Sequence, residues 1–139
     1  MSYKCVCFLI FYDIIKMTLN SNNVASDGGS VMTYKDIVER VREVFEYADA
    51  RNIFEHIAIQ INITGEGAGV MYLEVAQRQV SIEPYDYYDR DGLVTIDSRV
   101  IMDVCDKKYS LRQAYKQGLL TYQGNERKWL ACLNNITLP

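Results

Sequence analysis

Hydrophobic positions recur at two periods along this chain, and the switches between them mark out its elements. Thr33-Tyr-Lys-Asp36 has the form of a capping box, in which a hydroxyl and an acid three residues on satisfy backbone N–H groups at a helix start. Ile37, Val38, Val41, Val44, Phe45 and Ala48 follow at helical spacing and predict an amphipathic first helix. The period then drops to two. Ile57, Ile59, Ile61 and Ile63 alternate with Ala58, Gln60 and Asn62, as in a strand buried on one face. Gly65-Glu-Gly67-Ala-Gly69 turns the chain into a second strand, where Met71, Leu73 and Val75 alternate with Tyr72, Glu74 and Ala76. Val80 to Glu83 predicts a third strand that Pro84 ends, and Leu93 to Ile96 and Leu119 to Tyr122 predict two more. Short turns between strands imply antiparallel pairing, and helices gathered at both ends of the sequence cover one sheet face economically. The fold class expected is α+β, with a five-stranded, mainly antiparallel sheet covered by helices.

The segments between and after the last two strands are the most informative. Asp97 or Ser98 can cap a helix whose apolar face is Val100, Ile101, Val104 and Cys105. Ser110 can cap another carrying Leu111, Ala114 and Tyr115, and Gly118 can take the left-handed conformation that ends it. After the fifth strand, Gly124-Asn125 supplies a tight turn, and Trp129, Leu130, Leu133 and Ile136 form the apolar stripe of a closing helix.

With Ala114, Gly118, Leu120, Gly124 and Asn125 at their spacing, residues 32–136 resemble the sterol carrier protein domain family, the nonspecific lipid-transfer fold. The resemblance implies noncatalytic binding or transfer of a hydrophobic ligand, such as a fatty acid, an acyl-CoA or a sterol-like lipid, in a cavity between sheet and helices. The matching positions expected to line it are Met71, Leu73, Ile101, Met102, Tyr115, Trp129 and Leu133. The chain departs from the family after Gly-Asn, where Glu126, Arg127 and Lys128 replace mostly apolar residues. Arg127 and Lys128 are therefore expected at the rim of such a cavity. The same apolar positions also suit plain core packing. The alternative reading is a closed-core structural or interaction module that forms a homodimer or docks on an enzyme.

Composition narrows the partners. A formal net charge of -3 gives no electrostatic basis for gripping a phosphate backbone, which excludes nucleic acid as an expected partner. Cys5, Cys7, Cys105 and Cys132 include no Cys-x-x-Cys pair, so neither a zinc site nor a redox motif is indicated, and a reducing cytoplasm suits them. No apolar run reaches the ~20 residues that span a bilayer, because Asp13 and Lys16 interrupt the one candidate, so stable membrane insertion is not expected. Residues 1–31 are expected to be a leader and linker outside the core, with the domain running from 32 to 139: Lys4 to Tyr12 is apolar, with some likeness to the core of a signal peptide, and Asn20 to Ser30 is polar.

The remaining motifs point away from chemistry. Gly65-x-Gly67-x-Gly69 follows a strand but leads into another strand, whereas a phosphate cradle needs a helix start. Asp86, Asp89 and Asp91 do not fit the ligand spacing of a calcium loop, and Tyr85, Tyr87 and Tyr88 beside them suit packing on the sheet or rimming a ligand entrance. His56 is the only histidine, and a dyad with Cys105 would need tertiary structure to join a strand start to a helix's apolar face. The sequons at Asn62 and Asn135 have no convincing export signal to serve them. The expectation is a protein that is not an enzyme, with no cofactor and no metal.

Overall fold

The computed structural model describes residues 31–139, so the expected leader and linker, with Cys5 and Cys7, lie outside the described residues. Helix α1 spans Tyr34–Phe45 and opens on the capping box: the Asp36 N–H donates to Thr33 Oγ1 at 3.1 Å, and the Thr33 N–H donates to Asp36 Oδ2 at 3.0 Å. It buries Ile37, Val38, Val41, Val44 and Phe45, the stripe read from the sequence.

Strands β1 (Ile57–Thr64), β2 (Gly69–Ala76) and β3 (Gln79–Glu83) form an antiparallel meander, β4 is Gly92–Asp97, and β5 is Leu120–Gly124. The sheet order is β3-β2-β1-β4-β5. All neighbours are antiparallel except β1 and β4, which run parallel from Ile59↔Gly92 to Thr64↔Asp97. Register puts Ile57, Ile59 and Ile61 opposite Val75, Leu73 and Met71 on one face, which the helices cover.

The parallel pair follows from the path between β3 and β4. Residues 84–91 carry the chain back over the uncovered face. Tyr87 packs edge-on against Tyr72 of β2 at 4.6 Å, Tyr85 meets the same ring at 5.8 Å, and Arg90 Nη1 donates to Gln60 Oε1 of β1 at 3.2 Å. This crossing also explains why Ala58 and Gln60 are buried, although the alternation in β1 predicts one wet face. A returning loop shields them.

Helix α2 (Ser98–Cys105) is capped by Asp97, α3 (Leu111–Lys116) by a second capping box between Ser110 and Gln113, and α4 (Glu126–Asn135) by Asn125, whose side chain accepts from the Lys128 N–H. Both α2 and α3 end in Schellman motifs. After α3 the Leu119 N–H donates to Ala114 O at 2.9 Å and the Gly118 N–H to Tyr115 O at 3.1 Å, with Gly118 at φ +76°. After α2 the Lys108 N–H donates to Asp103 O and the Lys107 N–H to Val104 O, both at 3.0 Å, and Lys107 takes the left-handed position at φ 63°. The last residues return to α1's end, where Asp49 and Thr137 exchange two backbone hydrogen bonds of 2.8 and 3.0 Å.

Candidate functional site

Two cavities meet between the helices and the sheet. The outer one, about 460 Å³, opens to solvent between the end of α1, the loop from α2 into α3, the end of α4 and the final residues. Its apolar wall includes Phe45, Val104, Leu111, Leu133 and Leu138, and Lys107, Lys108, Tyr109, Arg112 and Gln113 stand along its edge. The inner one is a gap of about 30 Å³ lined by apolar side chains and the indole of Trp129: Ile59, Ile61 and Leu73 from β1 and β2, Val94 and Ile96 from β4, Ile101 from α2, and Trp129 from α4. Phe45, Leu111, Cys132 and Ile136 line both. These four residues form the shared wall between open pocket and interior.

The gap is held nearly shut. At ~24 cal/mol per Å³ an empty volume this small costs under about 1 kcal/mol, whereas a dry tunnel of ~400 Å³ would cost on the order of 10 kcal/mol. Trp129, only 2% exposed, is clamped against the sheet by two tyrosines. Tyr122 stacks on it at 4.7 Å with the rings 5° from parallel, and Tyr115 meets it edge-on at 5.4 Å. Tyr122 is fixed in turn by its hydroxyl, which donates to Asn125 O at 2.7 Å. A Cβ at Gly92 would lie 2.0 Å from that hydroxyl oxygen, so the glycine that opens β4 makes room for the clamp. Burial pushes the Tyr122 phenol and the Cys132 thiol each up to about 12. At neutral pH the shared wall is therefore uncharged.

The expected lining residues divide between the cavities and the surrounding core. Leu73, Ile101 and Trp129 line the gap, and Leu133 lines the outer pocket. Met71 lies on the same sheet face but is fully buried in the core, Met102 packs half-buried against that core, and Tyr115 serves as one jaw on Trp129. None of these three reaches either cavity wall. Arg127 and Lys128 line neither cavity. Arg127 forks onto Glu55 at 2.7 and 2.9 Å, and Lys128 Nζ donates to Asp91 Oδ1 at 2.9 Å and to His56 O at 3.2 Å. Arg127 and Lys128 thus pin the start of α4 to the chain entering β1, and the cations on the pocket edge come from elsewhere.

Residues missed from the sequence include Phe45, Leu111, Cys132 and Ile136. Phe45, Leu111 and Ile136 read as parts of apolar stripes and Cys132 only as a cysteine, and their convergence from the ends of α1 and α4 and the start of α3 is what makes a wall. The other sequence candidates lie apart from the pocket. His56 Nε2 meets Glu74 Oε2 at 2.6 Å on the sheet face away from the helices, while Cys105 is buried under them with its thiol pushed up to about 12 by burial. Those two do not form a dyad. Tyr85 and Tyr87 pack on the uncovered sheet face, not at the pocket. Gly65 to Gly69 is a hairpin connection between β1 and β2. Among the described residues, no cluster of three or more histidine, cysteine or acidic side chains could hold a metal ion, and no helix is long and apolar enough to cross a membrane.

No family model and no curated protein matches the chain. Solved structures do. The palmitated sterol carrier protein 2-like 2 of Aedes aegypti, determined by solution NMR, superposes with a TM-score of 0.52 at 21% identity, over 72% of this chain and 92% of that one. The UbiJ-SCP2 ubiquinone synthesis protein superposes with a TM-score of 0.51 at 17% identity, over 73% and 90%. The chain has a sterol carrier protein 2-like fold. The same fold also occurs within larger chains: a sec-alkyl sulfatase matches with a TM-score of 0.51 at 13% identity, over 65% of this chain but 14% of the sulfatase. The α+β architecture expected from the sequence is the one found, its mainly antiparallel sheet interrupted by the single parallel pair of β1 and β4.

Proposed function

We propose that this chain binds a long-chain hydrophobic ligand without transforming it, taking it through the open pocket at the helix ends and burying its tail between sheet and helices. The observation that carries the reading is the shared wall of Phe45, Leu111, Cys132 and Ile136, whose side chains line both the open pocket and the apolar gap behind it. The outer volume lies within the ~300–1,000 Å³ of ordinary small-molecule sites. The gap does not, so the tail must part the wall. Each methylene moved from water into the interior contributes roughly 0.8 kcal/mol, enough for a long chain to offset repacking of a few side chains. A sterol carrier protein 2-like relative in fold is described as palmitated, which supports a ligand of this chemistry.

Trp129 reports on the interior, because it is the only tryptophan of the chain and its ring lines the gap. Hexadecanoate should change its fluorescence saturably. Leu133→Arg puts a charge on the wall of the outer pocket at a half-buried position, and should abolish that response while leaving the melting transition in place. A saturable response that survives Leu133→Arg unchanged would remove the pocket from the uptake path.

A further inference from the structure

Resting on the hydrophobic-ligand reading above, we propose that the pocket selects a single-chain amphiphile with an anionic head group, a carboxylate or a phosphate monoester, held at the pocket edge by Lys107 and Arg112. Positive charge gathers at the pocket edge. The chain carries a net charge of -3, yet Lys107, Lys108 and Arg112 stand on the pocket and, among the described residues, no aspartate or glutamate lines it. Several cations elsewhere are paired with acids: Arg40 with Glu43 and Asp106, Arg42 with Glu83, Arg51 with Asp49, Arg127 with Glu55 and Lys128 with Asp91. Lys108 is drawn partly aside by Asp103 at 3.2 Å. The side chains of Lys107 and Arg112 have no partner among the described residues.

The backbone gives a second, independent reason. Lys107 occupies the left-handed position of a Schellman motif, where a side chain is strained and glycine is favoured. The neighbouring helix α3 ends in the same motif and does use glycine, at Gly118. A cation beyond a helix C-terminus also complements the exposed carbonyls. Lys108, one residue on and without that strain, supplies this already. A lysine in a glycine's conformation, at the edge of an open pocket lined by no acidic side chain, is placed to meet an anion. The geometry also orders the ligand: head group at the α2–α3 loop, tail toward Phe45 and Leu111.

Affinities of the full chain for hexadecanoate, hexadecyl phosphate, hexadecanol and inorganic phosphate, read from Trp129 fluorescence and from calorimetry, test this directly. Both charged amphiphiles should bind at least about tenfold more tightly than hexadecanol, and raising salt to about 0.5 M should erode that preference. Lys107→Gln combined with Arg112→Gln should remove it while leaving hexadecanol affinity in place. Lys107→Gly alone should raise the melting temperature by a few degrees yet weaken hexadecanoate several-fold, a separation that a purely structural lysine would not produce. Equal affinity for hexadecanoate and hexadecanol, or equal losses for both in the double variant, would overturn the anionic selection while the hydrophobic-ligand reading stands. Inorganic phosphate bound as tightly as hexadecyl phosphate would also overturn it, by making the edge a free-anion site. If none of the three alkyl ligands binds, the hydrophobic-ligand reading fails and this selection with it.

Discussion

Gly118 and Lys107 adopt the same backbone conformation at the ends of adjacent helices, and only the first announces itself in the sequence. A glycine followed by apolar strand residues reads directly as a helix stop. A left-handed lysine carries no such signature, because its φ is imposed by the return of the chain. An added Cβ at Gly118 would meet nothing within 4 Å, so substitution there is penalised by conformation alone. Gly118→Ala should lower stability by about 1 kcal/mol, and Gly118→Val by more, read from the urea midpoint at unchanged slope. The two buried thiols give a pH prediction. Burial raises Cys105 and Cys132 to about 12, so the folded state holds these protons more tightly than the unfolded chain does. Their contribution to stability is complete below the unfolded value near ~8.5 and is lost as pH rises toward 12. Replacing both with alanine should therefore flatten the fall in denaturation midpoint between about pH 8.5 and 10, below the ordinary range of tyrosine. An alkaline slope unchanged by the double replacement would show the thiols to be ionised in the folded protein.

Among the elements, the caps were legible and the pairing was not wholly so. The Thr33 capping box forms as read, and the Ser110 cap forms as part of a box with Gln113, each depending on residues three apart. The parallel join of β1 to β4 depends on a loop crossing the sheet, which periodicity does not encode, and the burial of Gln60 follows from it. The charged triplet at the start of α4 shows a similar gap. Arg127 and Lys128 read as a polar departure from an apolar pattern, and their partners Glu55 and Asp91 lie far away in sequence. The two pairs should differ in worth. Arg127 is largely exposed and its pair with Glu55 is screened by solvent, so Arg127→Ala should leave the urea midpoint unchanged. Lys128 and Asp91 are 19% and 22% exposed, and Lys128→Met should cost about 1–3 kcal/mol by leaving a half-buried carboxylate without its cation. Burial pushes the Asp91 carboxyl up, but the Lys128 ammonium and the Ala58 N–H outweigh it and hold it below the usual range. The stability it confers is present above the unfolded value near ~3.9 and is lost as pH falls through the lower folded value. The deficit of Lys128→Met should thus shrink below about pH 4, as denaturation midpoints in acid would reveal.

For the molecule as a whole, the order of elements and the covered sheet face were legible because alternation and helical stripes specify which side of each element is apolar. The cavity was not. Its walls come from the ends of α1 and α4, the start of α3 and the final residues, and apolar spacing puts Leu133 of α4 on the pocket but Met71 of β2 in solid core. Apolar spacing identifies the inside, and only tertiary placement separates lining from filling. The cap of α1 at Thr33 and the core that the described residues build, with Met32 packed against it, lead to a further expectation. A chain beginning at Met32 should keep a single cooperative thermal transition, and its loss would assign the preceding residues to the core. The central claim, that a hydrophobic chain enters the helix-end pocket and passes the shared wall, is tested most directly by residue-resolved NMR of the protein titrated with hexadecanoate. The account predicts saturable shifts at Phe45, Leu111, Cys132, Ile136 and the Trp129 indole, with Tyr85 and Tyr87 on the far sheet face unmoved. Shifts confined to that far face, or none that saturate, would contradict it.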